Sequence, residues 1–107
     1  MLENALYSVI SPRGFASILW KDASKEKEAC QIMKITAEDL LALGVAEKII
    51  EEPLGGAHND HKQTAENIHE YLLKVLEQKS KIPIDVLLEE RYTKFRKIGD
   101  FLEEINY

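Results

Sequence analysis

Five groups of residues carry side chains or backbone that could do chemistry. His58, Asp60 and His61 put two imidazoles and a carboxylate within four positions, the donor types of a zinc site. Such sites gather three or four converging ligands, and Cys30, the only cysteine, is distant in sequence. The simpler reading is a capped helix start with exposed histidines, and no metal is assigned. Cys30 with His69 has the composition of a thiol–imidazole pair. Cys30 neighbours Ala29 and Ile32 in a helical stretch, however, and is expected to be a small buried apolar residue. Gly55-Gly56-Ala57-His58 has the glycines of a phosphate loop without its lysine or its spacing. A structural turn, or a loop that docks on another subunit, is the expectation for Gly55, Gly56 and His58. Ser11-Pro12-Arg13-Gly14 opens a helix whose amides could face an anion, or it is a plain cap. Arg91, Lys94, Arg96 and Lys97 form a basic strip near the end of the last helical segment. The strip could meet phosphates or an acidic partner; complementing the helix C-terminus is the simpler account. No group completes a nucleophile, an acid–base pair or a metal set, so no catalytic residue is assigned.

The elements that must position these groups follow from periodicity and punctuation. Leu6, Tyr7, Val9 and Ile10 predict a strand over residues 5–10. Ser11 can cap and Pro12 can begin a helix running to Trp20. Within it Phe15, Ile18 and Leu19 share one face, and Trp20 is expected in the core beside Leu19. Residues 24–33 predict a second helix, with Ala29, Ile32 and Met33 inward and Lys25, Glu26, Lys27 and Glu28 wet. Thr36, with Asp39 three positions on, caps a third; Leu40, Leu41 and Leu43 face its core and Gly44 ends it. Residues 45–50 resume extended character and Glu51-Glu52-Pro53 closes them. Two strands joined by helices predict a parallel pair with a right-handed crossover. Two strands make an incomplete sheet, whose open edges predict self-association.

Beyond the loop at 54–60, Ala65, Ile68, Leu72, Val75 and Leu76 make an apolar stripe on a long helix over 61–79. Residues 80–83 break it. A last helix over 84–98 carries Ile84, Leu87, Leu88, Tyr92, Phe95 and Ile98 on one side, Gly99 stops it, and 100–107 is expected to fray. The two long helices predict an antiparallel hairpin or a pair embracing a neighbour. The whole reads as one helix-rich α/β domain over 1–107, divided into a strand–helices–strand part (1–53) and a loop with two helices (54–107).

Composition limits the partners. The chain has 107 residues and a net charge of −5, from 19 acidic against 14 basic side chains, which gives no electrostatic reason to expect nucleic acid or an anionic membrane. The first ten residues have no basic region and are too short to span a bilayer. A single cysteine fits a reducing compartment, and a cytoplasmic location is the expectation.

Three segments are more specific than these patterns: residues 7–21 (YSVISPRGFASILWK), 43–58 (LGVAEKIIEEPLGGAH) and 89–99 (EERYTKFRKIG). In this order and spacing they resemble the end of the carboxyltransferase alpha subunit of multisubunit acetyl-CoA carboxylase. The resemblance extends from Met1 to about Gly99. It implies the C-terminal part of a crotonase-like fold, and a reaction that moves a carboxyl group from carboxybiotin on a carrier protein to acetyl-CoA, giving malonyl-CoA for fatty acid synthesis. It also implies a zinc-containing beta subunit as partner in an α2β2 arrangement, with no cofactor bound by this chain itself. The glycine pair that stabilises the biotin oxyanion in that family belongs to a segment upstream of residue 6, so the resemblance implies a part that is inactive alone. Ser11, Pro12, Arg13 and Gly14 would then lie at the rim of the substrate or biotin pocket, and Gly55, Gly56 and His58 at a subunit interface. Arg13 stands where the family usually has glutamate, which removes any carboxylate role there. The competing reading is a stand-alone helical interaction module with only vestigial carboxyltransferase ancestry.

Overall fold

Ser11, Thr36 and Asp60 each sit in extended backbone with a side-chain oxygen turned back onto the next turn, and a helix begins after each. The computed structural model describes residues 1–99. Its helices are α1 (Pro12–Trp20), α2 (Glu26–Met33), α3 (Ala37–Ala42), α4 (His61–Lys79) and α5 (Ile84–Arg96), with 3₁₀ turns at Ala23–Lys25 and Ala57–Asn59. The expectation of a frayed tail at 100–107 lies outside the described residues.

The helix-rich character matches the sequence pattern; the two strands do not form. Residues 5–10 make one antiparallel bridge, Leu6 to Thr36. The Tyr7 N–H donates to the Ile35 carbonyl at 3.1 Å. Beyond it the Ser8 hydroxyl donates to the Ile10 carbonyl and accepts the Ile10 N–H, a local closure that competes with a ladder. Residues 45–50 lose their first members to the end of α3. The Val45 and Ala46 N–H groups both donate to the Leu40 carbonyl, at 2.9 and 3.1 Å, after Gly44 turns the chain at φ +70°. The parallel pairing survives at one place, Leu2 against Ile50. There Glu3 donates to Ile50 at 3.0 Å and Ile50 to Met1 at 2.8 Å.

The segment between α1 and α2 is a tight corner. Lys21 and Lys34 end their helices at φ +55° and +51°, a left-handed conformation usually left to glycine. The Asp22 carboxylate takes the N–H and the hydroxyl of Ser24 at 3.0 and 2.6 Å. Those two bonds hold its pKa below the usual carboxylate range. The Phe15 and Trp20 rings meet edge to face, centroids 6.3 Å apart, and the Lys25 ammonium lies 5.9 Å from the Trp20 centroid.

The core is made of small residues. Ala16 and Ala29 are at 0% exposure where α1 crosses α2; Ala37, Leu40 and Ala46 are also buried. No large side chain is fully buried among the described residues. Several apolar faces expected inside point outward. Ile18, Leu19, Ile32, Leu41, Leu43, Leu72, Leu76, Ile84, Leu88, Tyr92 and Phe95 are all exposed, and Leu19 does not share a core with the half-buried Trp20. On α4 Thr64 is buried and Ile68, Tyr71 and Val75 are half-buried; Tyr71 and Val75 line a cleft with residues 48–51. α4 and α5 do not pack as a hairpin; the Lys79–Glu90 ion pair joins them at 3.1 Å, and Lys94 of α5 pairs with Glu47.

The result is a thin layer, 49 × 48 × 17 Å, with a radius of gyration of 18.2 Å. A compact chain of this length has a radius of about 13 Å. The accessible surface is 9091 Å², against about 6,000 Å² for a compact monomer of this size. The sequence has enough apolar residues for a core, and this fold leaves most of them at its faces.

Candidate functional site

The Ser11–Gly14 turn is a capped helix start. The Gly14 N–H donates to the Ser11 hydroxyl at 3.1 Å and the Phe15 N–H to the Ser11 carbonyl at 2.9 Å. Pro12 has no N–H, so of the helix-start donors the Ser11 and Arg13 amides are left without an acceptor among the described residues. Gly14 sits in a close approach: a Cβ there would lie 3.0 Å from the Ile10 side chain and 3.2 Å from the Ser11 hydroxyl, so those side chains would have to shift slightly. Ser11 and Pro12 line an apolar cleft of about 520 Å³ with Leu6, Val9, Ile10, Ile35 and Cys30. Cys30 is exposed, contrary to the expectation of core burial, because α2 buries Ala29 against α1 and turns its next residue out. Ser11→Ala removes the cap while leaving the chain path intact. It is expected to lower stability by about 1 kcal/mol, read as a fall of roughly 4–8 °C in Tm.

The second loop is built more firmly. The Gly56 N–H donates to the Pro53 carbonyl at 2.9 Å, closing a turn in which Gly55 and Gly56 take φ of +89° and +105°. Glu52 braces it from both sides. One carboxylate oxygen accepts the Ala57 N–H at 2.7 Å and the other the Asn4 N–H at 2.6 Å. The Glu3 carboxylate in turn accepts the Glu52 N–H at 3.2 Å. The Asn59 amide donates to the Leu54 carbonyl at 2.8 Å. The His58 ring lies against the Gly56 Cα, where a Cβ would meet it at 3.1 Å. The buried Thr64 hydroxyl ties the loop to α4 through the Ala57 and Asp60 carbonyls, at 3.0 and 2.8 Å. Together Glu3, Asn4 and residues 52–58 line a cleft of about 690 Å³.

Sequence reasoning located the two glycines and His58 here and missed Glu52, Leu54, Asn59 and Thr64. Glu52 had a local signal: an acidic residue just before Pro-x-Gly-Gly can reach the amides that the turn exposes.

The other groups stay apart. Asp60 accepts the Gln63 N–H at 2.9 Å and so works as the α4 cap. No three His, Cys, Asp or Glu side chains gather as a metal-binding set among the described residues. Cys30 is on α2 and His69 on α4, two helices that do not pack together. In the basic strip, Lys94 is spent on Glu47, and Arg91 and Lys94 each lie 5.0 Å from the Phe95 ring centroid. No described helix is long and apolar enough to cross a membrane.

The described residues form a capped helix start and a braced loop on a thin helical layer with an open apolar surface. Comparison with known proteins gives that surface a family. The family described as acetyl co-enzyme A carboxylase carboxyltransferase-like matches residues 1–99. The chain is 56% identical over 103 residues to the acetyl-coenzyme A carboxylase carboxyl transferase subunit alpha of Protochlamydia amoebophila, covering 96% of this chain and 33% of that protein. It is 54% identical over 103 residues to the subunit alpha of Clostridium acetobutylicum, 96% of this chain and 38% of that one. It is 54% identical over 106 residues to a protein of Natranaerobius thermophilus named for subunits beta/alpha, 99% of this chain and 18% of that one. The chain belongs to the acetyl-CoA carboxylase carboxyltransferase-like family. It spans about a third of the length of the alpha subunits it matches.

Proposed function

We propose that this chain is the part of a carboxyltransferase alpha subunit that shapes the rim of the active site and much of its subunit contact. The reaction served is transfer of a carboxyl group from carrier-bound carboxybiotin to acetyl-CoA, giving malonyl-CoA, within a crotonase-like fold. The observation that carries this reading is the family match over residues 1–99, on a layer whose large apolar side chains lie outside. Surface of that kind marks a place where other protein packs.

The chemistry develops negative charge on the acetyl-CoA enolate and on biotin, and paired preorganised amides meet such charge best. The Ser11–Gly14 turn spends the Gly14 and Phe15 amides on its own cap. Its contribution is to border the pocket, with the Arg13 guanidinium adding positive charge at the rim. The partners of this reading are the zinc-containing beta subunit and the biotin carboxyl carrier protein, in the cytoplasm.

Mixing the chain with acetyl-CoA and carboxylated carrier should give no malonyl-CoA, and the chain should co-migrate with a carboxyltransferase beta subunit on size exclusion. Malonyl-CoA formed by the chain alone, or separate elution of the two proteins, overturns the proposal. A discrete self-associated species that ignores the beta subunit would favour the stand-alone module.

A further inference from the structure

Leu54 is a leucine with 96% of its surface exposed, at the crest of a turn braced by several hydrogen bonds. An exposed leucine on a loose loop needs no explanation. Here the backbone beneath it is fixed from several directions. Asn59 holds the Leu54 carbonyl, Gly56 closes on Pro53, and Glu52 clamps the amides on both flanks. A side chain presented on a rigid base loses little backbone freedom when it is captured, which is the condition for an efficient anchor.

The surroundings specify what captures it. The cleft beside Leu54 is lined by Glu3 and Glu52 and contains no lysine or arginine. The adjoining cleft shares Glu3 and Asn4 and adds Glu38, Glu47 and Glu51 against Lys48 alone. Glu47 pairs with Lys94; Glu3, Glu38, Glu51 and Glu52 form no ion pair among the described residues. A carboxylate has about four acceptor positions. Glu52 uses two and Glu3 one, so both can receive cationic donors without releasing their braces. A second copy docking the same face would set glutamate against glutamate, which is unfavourable.

We infer that Leu54 is the anchor of a protein contact and inserts into an apolar socket rimmed by arginine or lysine on a subunit of another kind. The inference rests on the reading of the chain as part of a carboxyltransferase complex and names the point of contact within it.

The test is titration of the full chain with a carboxyltransferase beta subunit, at low and high salt. Leu54→Ala should weaken binding about tenfold or more, with an unchanged melting curve because the side chain touches little of its own chain. Leu54→Lys should weaken it further. Val9→Ala, at an equally exposed residue on the other loop, should leave it unchanged. Affinity should fall as salt rises, and less steeply for the double variant Glu3→Gln, Glu51→Gln. Equal binding by Leu54→Ala and the unsubstituted chain overturns the inference while the complex stands, as does binding indifferent to salt. Loss of self-association in Leu54→Ala, with binding to the beta subunit retained, overturns the choice of partner. Failure of the unsubstituted chain to bind removes the complex reading and this inference with it.

Discussion

Ala16→Leu is expected to be among the most damaging single substitutions in this chain, while Ile18→Ala, two residues away, should be close to silent. The usual order of core mutations is inverted because the fold buries its alanines. Ala16 and Ala29 are both at 0% exposure, and their missing bulk is what lets α1 and α2 approach. Three added carbons at that crossing must push the helices apart or force an off-rotamer side chain. Overpacking of this kind costs about 1–3 kcal/mol. The cost is expected to show here because Ala16 has no exposed surface into which a larger side chain could turn. Ile18 is exposed, and surface changes usually stay within about 0.5 kcal/mol. Urea unfolding followed by helical circular dichroism measures both. Equal stability of the two variants would mean that α1 and α2 do not pack through these alanines.

The same inversion explains what could be read from the sequence. Helix boundaries written in local chemistry came through. Ser11 with Pro12, Thr36 with Asp39, and the long periodic stretch from His61 to Lys79 all depend on groups a few residues apart. The strands did not, because a strand needs a partner at a distance. Ser8 closes on Ile10, and Val45 and Ala46 close on Leu40. Only Ile50 keeps the parallel pairing, and its partner is Leu2 rather than a residue of 5–10. Apolar periodicity marked faces that this fold leaves largely open, and on α4 the covered side is offset from the predicted stripe; periodicity carries no information on what covers a face. Ile84, Leu88 and Tyr92 share one side of α5, and that side is open. The two loops were legible by their glycines. The carboxylate that clamps the second was legible only on its local side, toward Ala57; its reach to Asn4 across 48 positions was not.

Thr64→Val tests whether the Leu54 loop is rigid because of its own turn or because α4 holds it. Thr64 is the one buried polar side chain among the described residues. Its hydroxyl sits 3.0 Å from the Ala57 carbonyl and 2.8 Å from the Asp60 carbonyl. The Asp60 carbonyl also receives the Thr64 N–H at 3.1 Å, so it keeps a partner when the hydroxyl is gone. The Ala57 carbonyl does not keep this one. Valine fills nearly the same space, so the substitution removes a donor without opening a cavity. Removing one hydrogen bond to a half-buried carbonyl costs about 0.5–1.5 kcal/mol, and the loss should fall on the loop before it reaches the helix. Amide exchange at Ala57 and Asn59 should accelerate, while exchange in the middle of α4 is unchanged. Thr64→Ser keeps the hydroxyl and should restore the slow exchange. If Thr64→Val exchanges like the unsubstituted chain at both residues, the turn is held by Glu52 and Asn59 alone. In that case Glu52→Ala, which frees the Asn4 and Ala57 amides together, should produce the loosening.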